Sequence, residues 1–191
     1  ESMTNAPYLL KKHRSGARIG HDTAYDHMFL DGLEDAYEAG RAMGTFAQDT
    51  ANDYQLTREA QDAYAIESLR RAQKAIADGA FKQEIVAVTV ATRKGDVIID
   101  TDEQPGKGMP DKIPTLKAAF AKDGTITAAT SSSISDGAAA LVLTRQSVAD
   151  ANGQNAIARI IAHAAHAQEP SAFTTAPVGA INKCLEKAGW T

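Results

Sequence analysis

The stretch from Thr57 to Gly79 limits what this chain can fold into more than any other. Thr57 offers a hydroxyl to the first free backbone N–H groups of a helix, and Arg58 and Glu59 follow in the first turn. Ala65, Leu69, Ala72 and Ile76 recur at spacings of four, three and four, so they fall on one apolar stripe. Glu67 and Arg71 stand one turn apart on the wet side and can pair there. Gly79 supplies the left-handed stop.

Other helix signals are shorter. Residues 43–54 suit a helix, and so do residues 147–152. Residues 177–188 are better specified: Pro177 fits a first helical position, Val178, Ile181, Leu185 and Ala188 form a stripe, and Gly189 ends it. Strand signals come from residues 84–90 and 97–100, which alternate around Arg93, Lys94, Gly95 and Asp96 as a hairpin does. Residues 125–128 and 158–165 also read as strands, and the apolar run 138–144 reads as a strand buried on both faces. Glycine, proline and charge dominate residues 101–117, which predicts a long surface loop. Residues 1–25 read as an irregular arm or exposed hairpin around the basic cluster Lys11, Lys12, His13, Arg14 and Arg18. The order strand, helix, strand, helix after residue 124 is an α/β pattern, and residues 1–120 read as irregular α+β, with a boundary near Phe120.

Composition narrows the function classes. Acids number 24 against 20 bases, a net charge of −4, so there is no general attraction to nucleic acid or anionic membrane. An anionic ligand must therefore be met by local basic residues. No apolar run approaches the roughly 18 residues of a membrane span, and no basic segment followed by an apolar run opens the chain. The single cysteine, Cys184, excludes an internal disulfide and fits a reducing compartment, so a cytoplasmic location is expected. The chain opens at Glu1 and closes at Thr191 directly after a helix, which suggests a segment of a longer polypeptide.

Several ordered stretches carry a resemblance. They begin with Glu1-Ser2-Met3-Thr4-Asn5-Ala6-Pro7-Tyr8, Asp31-Gly32-Leu33-Glu34-Asp35-Ala36-Tyr37 running on to Met43-Gly44-Thr45, and Thr57-Arg58-Glu59-Ala60-Gln61-Asp62. Asp100-Thr101-Asp102-Glu103, Gly124-Thr125-Ile126-Thr127-Ala128 and Ser131-Ser132-Ser133-Ile134-Ser135-Asp136-Gly137-Ala138-Ala139-Ala140 follow. In this order the sequence resembles the thiolase family, of the acetyl-CoA acetyltransferase type. The last stretch stands beside that family's Asn-Ala-Ser-Gly-Ile/Leu-x-Asp-Gly-Ala-Ala.

The resemblance implies an α/β thiolase-like fold fragment. Residues 1–120 would be the loop domain that covers substrate, with a tetramerisation arm near residues 7–20. Residues 121–155 would end the N-terminal core domain, and residues 156–191 would begin the C-terminal one. It further implies that Leu33, Met43, Phe120 and Phe173 line the acyl and pantetheine tunnel. Ala128, Ser131, Ser132 and Ile134 would border the pantetheine, with Ser132 bonding one of its amides. Lys107 and Lys112 would meet phosphate, where the family often has an arginine. Thr130 stands where most acetyl-CoA acetyltransferases have asparagine, which leaves chain-length preference open. The implied partners are an acyl-CoA and further copies of the subunit, in a homotetramer, with no nucleic acid, no membrane, no metal and no cofactor apart from coenzyme A as substrate and product. The implied setting is fatty acid metabolism.

Thiolases also use a nucleophilic cysteine before this segment, and later an Asn-Glu-Ala-Phe element, a Gly-His-Pro histidine and a Cys-x-Gly cysteine. None of these motifs occurs in these 191 residues. Covalent acyl transfer needs an activated thiolate, and condensation needs a second base and an oxyanion hole, so no catalytic residue is assigned. The expectation is a segment of an enzyme that moves acetyl groups between CoA thioesters, with a non-catalytic acyl-CoA-binding or oligomerisation module as the alternative. Other candidates read as structural. Cys184 sits beside Ile181 and Ala188 as a small hydrophobe. His163 and His166, three apart on an expected strand, would face opposite sides and make no metal pair. Ser132 lacks the Gly-x-Ser-x-Gly elbow of a hydrolase.

Overall fold

The computed structural model describes residues 1–191 and groups them into two compact units, one of residues 1–50 and 133–191, the other of residues 51–132. A helix, α1 (Met43–Asp53), carries the chain out of the first unit.

The second unit is organised by α2 (Arg58–Ala77). The Thr57 side chain accepts the Ala60 N–H at 3.2 Å, Gly79 follows the helix at a φ of +69°, where a Cβ would be strained, and Arg71 bonds Glu67 at 2.7 Å. Against α2 pack α3 (Glu103–Lys107) and the 3-10 turns Pro110–Thr115 and Ala128–Thr130.

These short helices correct the expectation of a loop over residues 101–117. Asp102 caps α3 by accepting the Gln104 N–H at 3.0 Å, and Pro110 starts the following turn. Side chains of α2 then hold both pieces. Gln73 donates to the carbonyls of Pro105 and Gly108 at 2.9 and 3.1 Å, and Arg58 donates to those of Ile113 and Leu116 at 3.2 and 2.9 Å. Arg58 is itself fixed by buried Asp62 at 2.8 Å. The segment is ordered by partners 32 to 58 residues away in sequence, which no local composition reveals.

The hairpin forms as β3 (Val88–Thr92) and β4 (Gly95–Ile99), with Val90 opposite Val97 and a turn at residues 93–94. It starts later than the alternating pattern at residue 84, and both strands are exposed along their whole length.

In the first unit β1 (Tyr8–Leu9) pairs with β2 (Tyr25–Asp26), giving the basic arm a two-residue ladder. Lys11 lies 4.0 Å from the Tyr25 ring centre, and His13 reaches Asp22 at 3.1 Å. A π-helical turn, Phe29–Leu33, precedes α1. The remaining helices of this unit are α4 (Gln146–Ala151) and α5 (Ala176–Ala188), the latter with Pro177 in its first turn and Gly189 in the left-handed region behind it.

The expected strands at 125–128, 138–144 and 158–165 are corrected. Residues 125–128 hold a single bridge, Ala118 to Thr127, before turning into a 3-10 helix. Residues 138–144 and 158–165 form no strand ladder within the chain, and the run expected to be buried on both faces is open: Leu141 is 88% exposed and Val142 96%. A strand exists only through hydrogen bonds to a neighbour, so an apolar run without one forms no ladder.

Candidate functional site

The residues singled out in the sequence fall in both units. In the second, four of them ride on the short elements that cover α2. Lys107 is on α3, where it pairs with Glu103 at 2.9 Å in the open. Lys112 is exposed within Pro110–Thr115. Ala128 is exposed at the head of Ala128–Thr130, and Ser131 caps the end of that turn, donating its hydroxyl to the Thr127 carbonyl at 2.8 Å.

Fully buried Thr127 anchors this turn, and its geometry explains Thr130. The Thr127 hydroxyl accepts from the Ala129 N–H at 3.2 Å while the Thr127 N–H donates to the Thr130 hydroxyl at 2.9 Å, a reciprocal cap. Thr130 therefore closes the turn from within. Ser132, next along, is exposed, and its hydroxyl bonds nothing within its unit. Phe120, 36% exposed, lies in the bend between the bridge residues Ala118 and Thr127, where the Ala119 N–H meets the Ile126 carbonyl at 2.9 Å.

In the first unit Leu33 ends the π-helical turn and Met43 begins α1, both half-buried. Ile134 is 59% exposed. Phe173, within the 3-10 turn Pro170–Thr175, sets its ring edge-on to Phe46 of α1, with centroids 6.3 Å apart and planes at 74°. Thr174 beside it shares a 2.6 Å hydrogen bond with Thr50 of the same helix. Phe46 is buried, and the Arg41 guanidinium lies 3.5 Å from its centre, bonded in turn to Glu38 at 2.8 Å and to Asp49. Those two carboxylates raise the pKa of Arg41, with the Glu38 hydrogen bond as the largest cause.

Phe46 and its arginine escaped the sequence reading because an isolated aromatic in a short helix carries no periodic signal. Asp136 was legible, since it lies within the strongest matching stretch. Its carboxylate accepts the Thr4 N–H at 3.0 Å and the Ser2 hydroxyl at 3.2 Å, which holds its pKa below the ordinary value. Asp136 is thus engaged in tying the start of the chain to residues 136–137. Cys184 is half-buried in an apolar hollow with Ile160, Ile161, Ile181, Leu185 and Trp190. No group of three or more metal-ligating side chains converges, and no helix is long and apolar enough to cross a membrane.

The combination of helices, small antiparallel ladders and apolar runs lacking sheet neighbours is that of an α/β fragment, and solved structures supply its frame. An acetyl-CoA acetyltransferase from Bacillus anthracis superposes with a TM-score of 0.92 at 37% identity, covering 100% of this chain and 48% of that one. A thiolase from Ascaris suum in complex with coenzyme A does so at 0.89 and 41%, with the same coverage. A probable acetyl-CoA acetyltransferase from Dictyostelium discoideum is 45% identical over 99% of this chain and 46% of its own length. Residues 1–147 match the family model described as thiolase, N-terminal domain, and the chain belongs to the thiolase family. It spans about half the length of the relatives it matches.

Proposed function

We propose that the whole protein moves an acetyl group between two CoA thioesters, joining two acetyl-CoA into acetoacetyl-CoA and CoA and running the reverse as well. In it residues 1–120 form the cover over the substrate, residues 121–155 end the N-terminal core domain and residues 156–191 begin the C-terminal one. A pantetheine arm is a thin apolar chain with two amides, and it suits walls made of small and apolar side chains with one or two hydroxyls. We assign Ala128, Ser131, Ser132 and Ile134 to the pantetheine, and Leu33, Met43, Phe120 and Phe173 to the acyl and thioester end. Lys107 and Lys112 meet the phosphates, and coenzyme A serves as substrate and product, with no resident cofactor.

The chemistry itself belongs to residues outside these 191. A cysteine thiolate takes the acyl group, a histidine and a second cysteine handle protons, and donors stabilise the enolate oxygen. This chain binds and orients, and by itself it turns nothing over.

The observation that carries the reading is the state of two neighbouring serines. Ser131 spends its proton on the Thr127 carbonyl and so fixes the turn, whereas Ser132 keeps an exposed hydroxyl without a bond in its unit. The Ascaris suum thiolase in complex with coenzyme A shares 41% identity and this backbone, which supports the same ligand here. The arm around β1 and β2, with Tyr8 70% exposed, supports assembly of a homotetramer through residues 7–20. A cytoplasmic place in fatty acid metabolism completes the proposal.

The test is an assay of the whole protein. Cleavage of acetoacetyl-CoA by CoA that is abolished by cysteine alkylation, with a raised KM and a retained kcat in Ser132→Ala, is the expected result. Absence of thiolytic cleavage in the whole protein, or an unchanged KM in Ser132→Ala, contradicts it.

A further inference from the structure

The turn that carries Phe173 is held by a polar chain that begins outside it. Lys183 Nζ lies 3.3 Å from His166 Nδ1 and 3.4 Å from the Ala165 carbonyl. An ammonium only donates, so Nδ1 accepts and the ring proton sits on Nε2. That N–H faces Gln168 Oε1 at 3.2 Å, which sets the amide's orientation. The Gln168 NH2 is then turned toward the Pro170–Thr175 turn, where it donates to the Ala172 carbonyl and, at 2.7 Å, to the Thr175 hydroxyl. The Thr175 hydroxyl donates onward to the same Ala172 carbonyl at 3.0 Å.

The backbone records the effect. Ala172 departs from helical geometry, with φ −100° and ψ +19°, at the residue whose carbonyl collects both hydrogen bonds and immediately before Phe173. The His166 ring can reach its place because α5 has a glycine opposite it: a Cβ at Gly179 would fall 2.6 Å from the ring.

We infer that Gln168, oriented by His166, is a positioning residue that kinks the turn at Ala172 and so aims the Phe173 ring at Phe46. The consequence for ligand selection rests on the proposed reading that Phe173 faces the acyl end. Loss of this aim removes an edge-to-face contact and loosens one wall of the acyl pocket. The cost falls on the acyl group and spares the pantetheine and nucleotide.

The test compares this chain with Gln168→Leu, which keeps the volume and removes both donors, and with Thr175→Val and Thr175→Ser. Proton NMR of phenylalanine-labelled protein reads the contact between the Phe46 and Phe173 rings. Calorimetry reads the ratio of the dissociation constants for CoA and acetoacetyl-CoA. Gln168→Leu and Thr175→Val are expected to lose the ring contact and to shrink that ratio by about threefold to tenfold with affinity for CoA kept, while Thr175→Ser restores both. Should Gln168→Leu fail to fold, Gln168→Glu removes the same two donors at the same side-chain length and decides in its place. A ring contact that survives in the folded variants overturns the positioning role. A ring contact that is lost while the ratio holds overturns instead the placement of Phe173 at the acyl end.

Discussion

Helix α2 and the segment 138–165 show two ways of being apolar. On α2, Ala65 is buried and Leu69, Ala72 and Ile76 are half-buried beneath α3 and two 3-10 turns, with α3 and Pro110–Thr115 tied down by polar side chains of the helix. In segment 138–165, Leu141, Val142 and Ile157 stand at or near full exposure, and only α4 forms a regular element. The difference lies in who supplies the hydrogen bonds. A helix satisfies its backbone internally and needs only a cover for its stripe, whereas a strand depends on a second strand for every peptide group.

Cutting the clamp on α2 should have the largest effect. Asp62→Ala leaves Arg58 partly desolvated without its carboxylate. The expected loss is about 2 kcal/mol of local stability, below the full value for a buried pair because Arg58 retains its carbonyl partners. Hydrogen exchange of the α2 amides measures it, and the Ile113 and Leu116 region should loosen in step. Thr57→Ala removes one cap and should cost about 1 kcal/mol by the same measurement. Leu143→Lys, in the exposed run, should change stability by less than about 0.5 kcal/mol while lowering self-association in sedimentation. A cost as large as that of Asp62→Ala would erase the distinction drawn between the two regions.

A smaller effect belongs to the start of the chain. The folded-state pKa of Asp136 lies below its unfolded value, so the unfolded chain binds more protons in the acid range and stability rises with pH there. The contribution is complete above the ordinary aspartate value of about 3.9 and is lost as pH falls through the lower folded value. The Thr4 amide resonance should follow that titration, and Asp136→Asn should flatten it.

Legibility followed the same physical line. Helices with their caps and stops were readable because Thr57, Gly79, Pro177 and Gly189 act within a few residues of themselves. The hairpin at 88–99 was readable because its partner is next door. Strand propensity at 138–144 and 158–165 was real in the sequence but has no neighbour to act on. Order at 103–115 was hidden because its donors, Arg58 and Gln73, sit on another element. Of the candidate site, small and hydroxyl residues around Ala128 to Ser132 came from the resemblance, while Phe46 depends on a distant contact, and Gln168 and Thr175 act within an irregular turn that carries no periodic signal.

Under the proposed function this chain offers one wall for a CoA thioester, with Ser132 as a hydrogen-bonding point on it. Calorimetric titration of CoA into this chain and into Ser132→Ala tests it most directly. Measurable binding that weakens by roughly fivefold to tenfold in the variant, the worth of one hydrogen bond, is the expected result. Equal binding by both, or none by either, contradicts it.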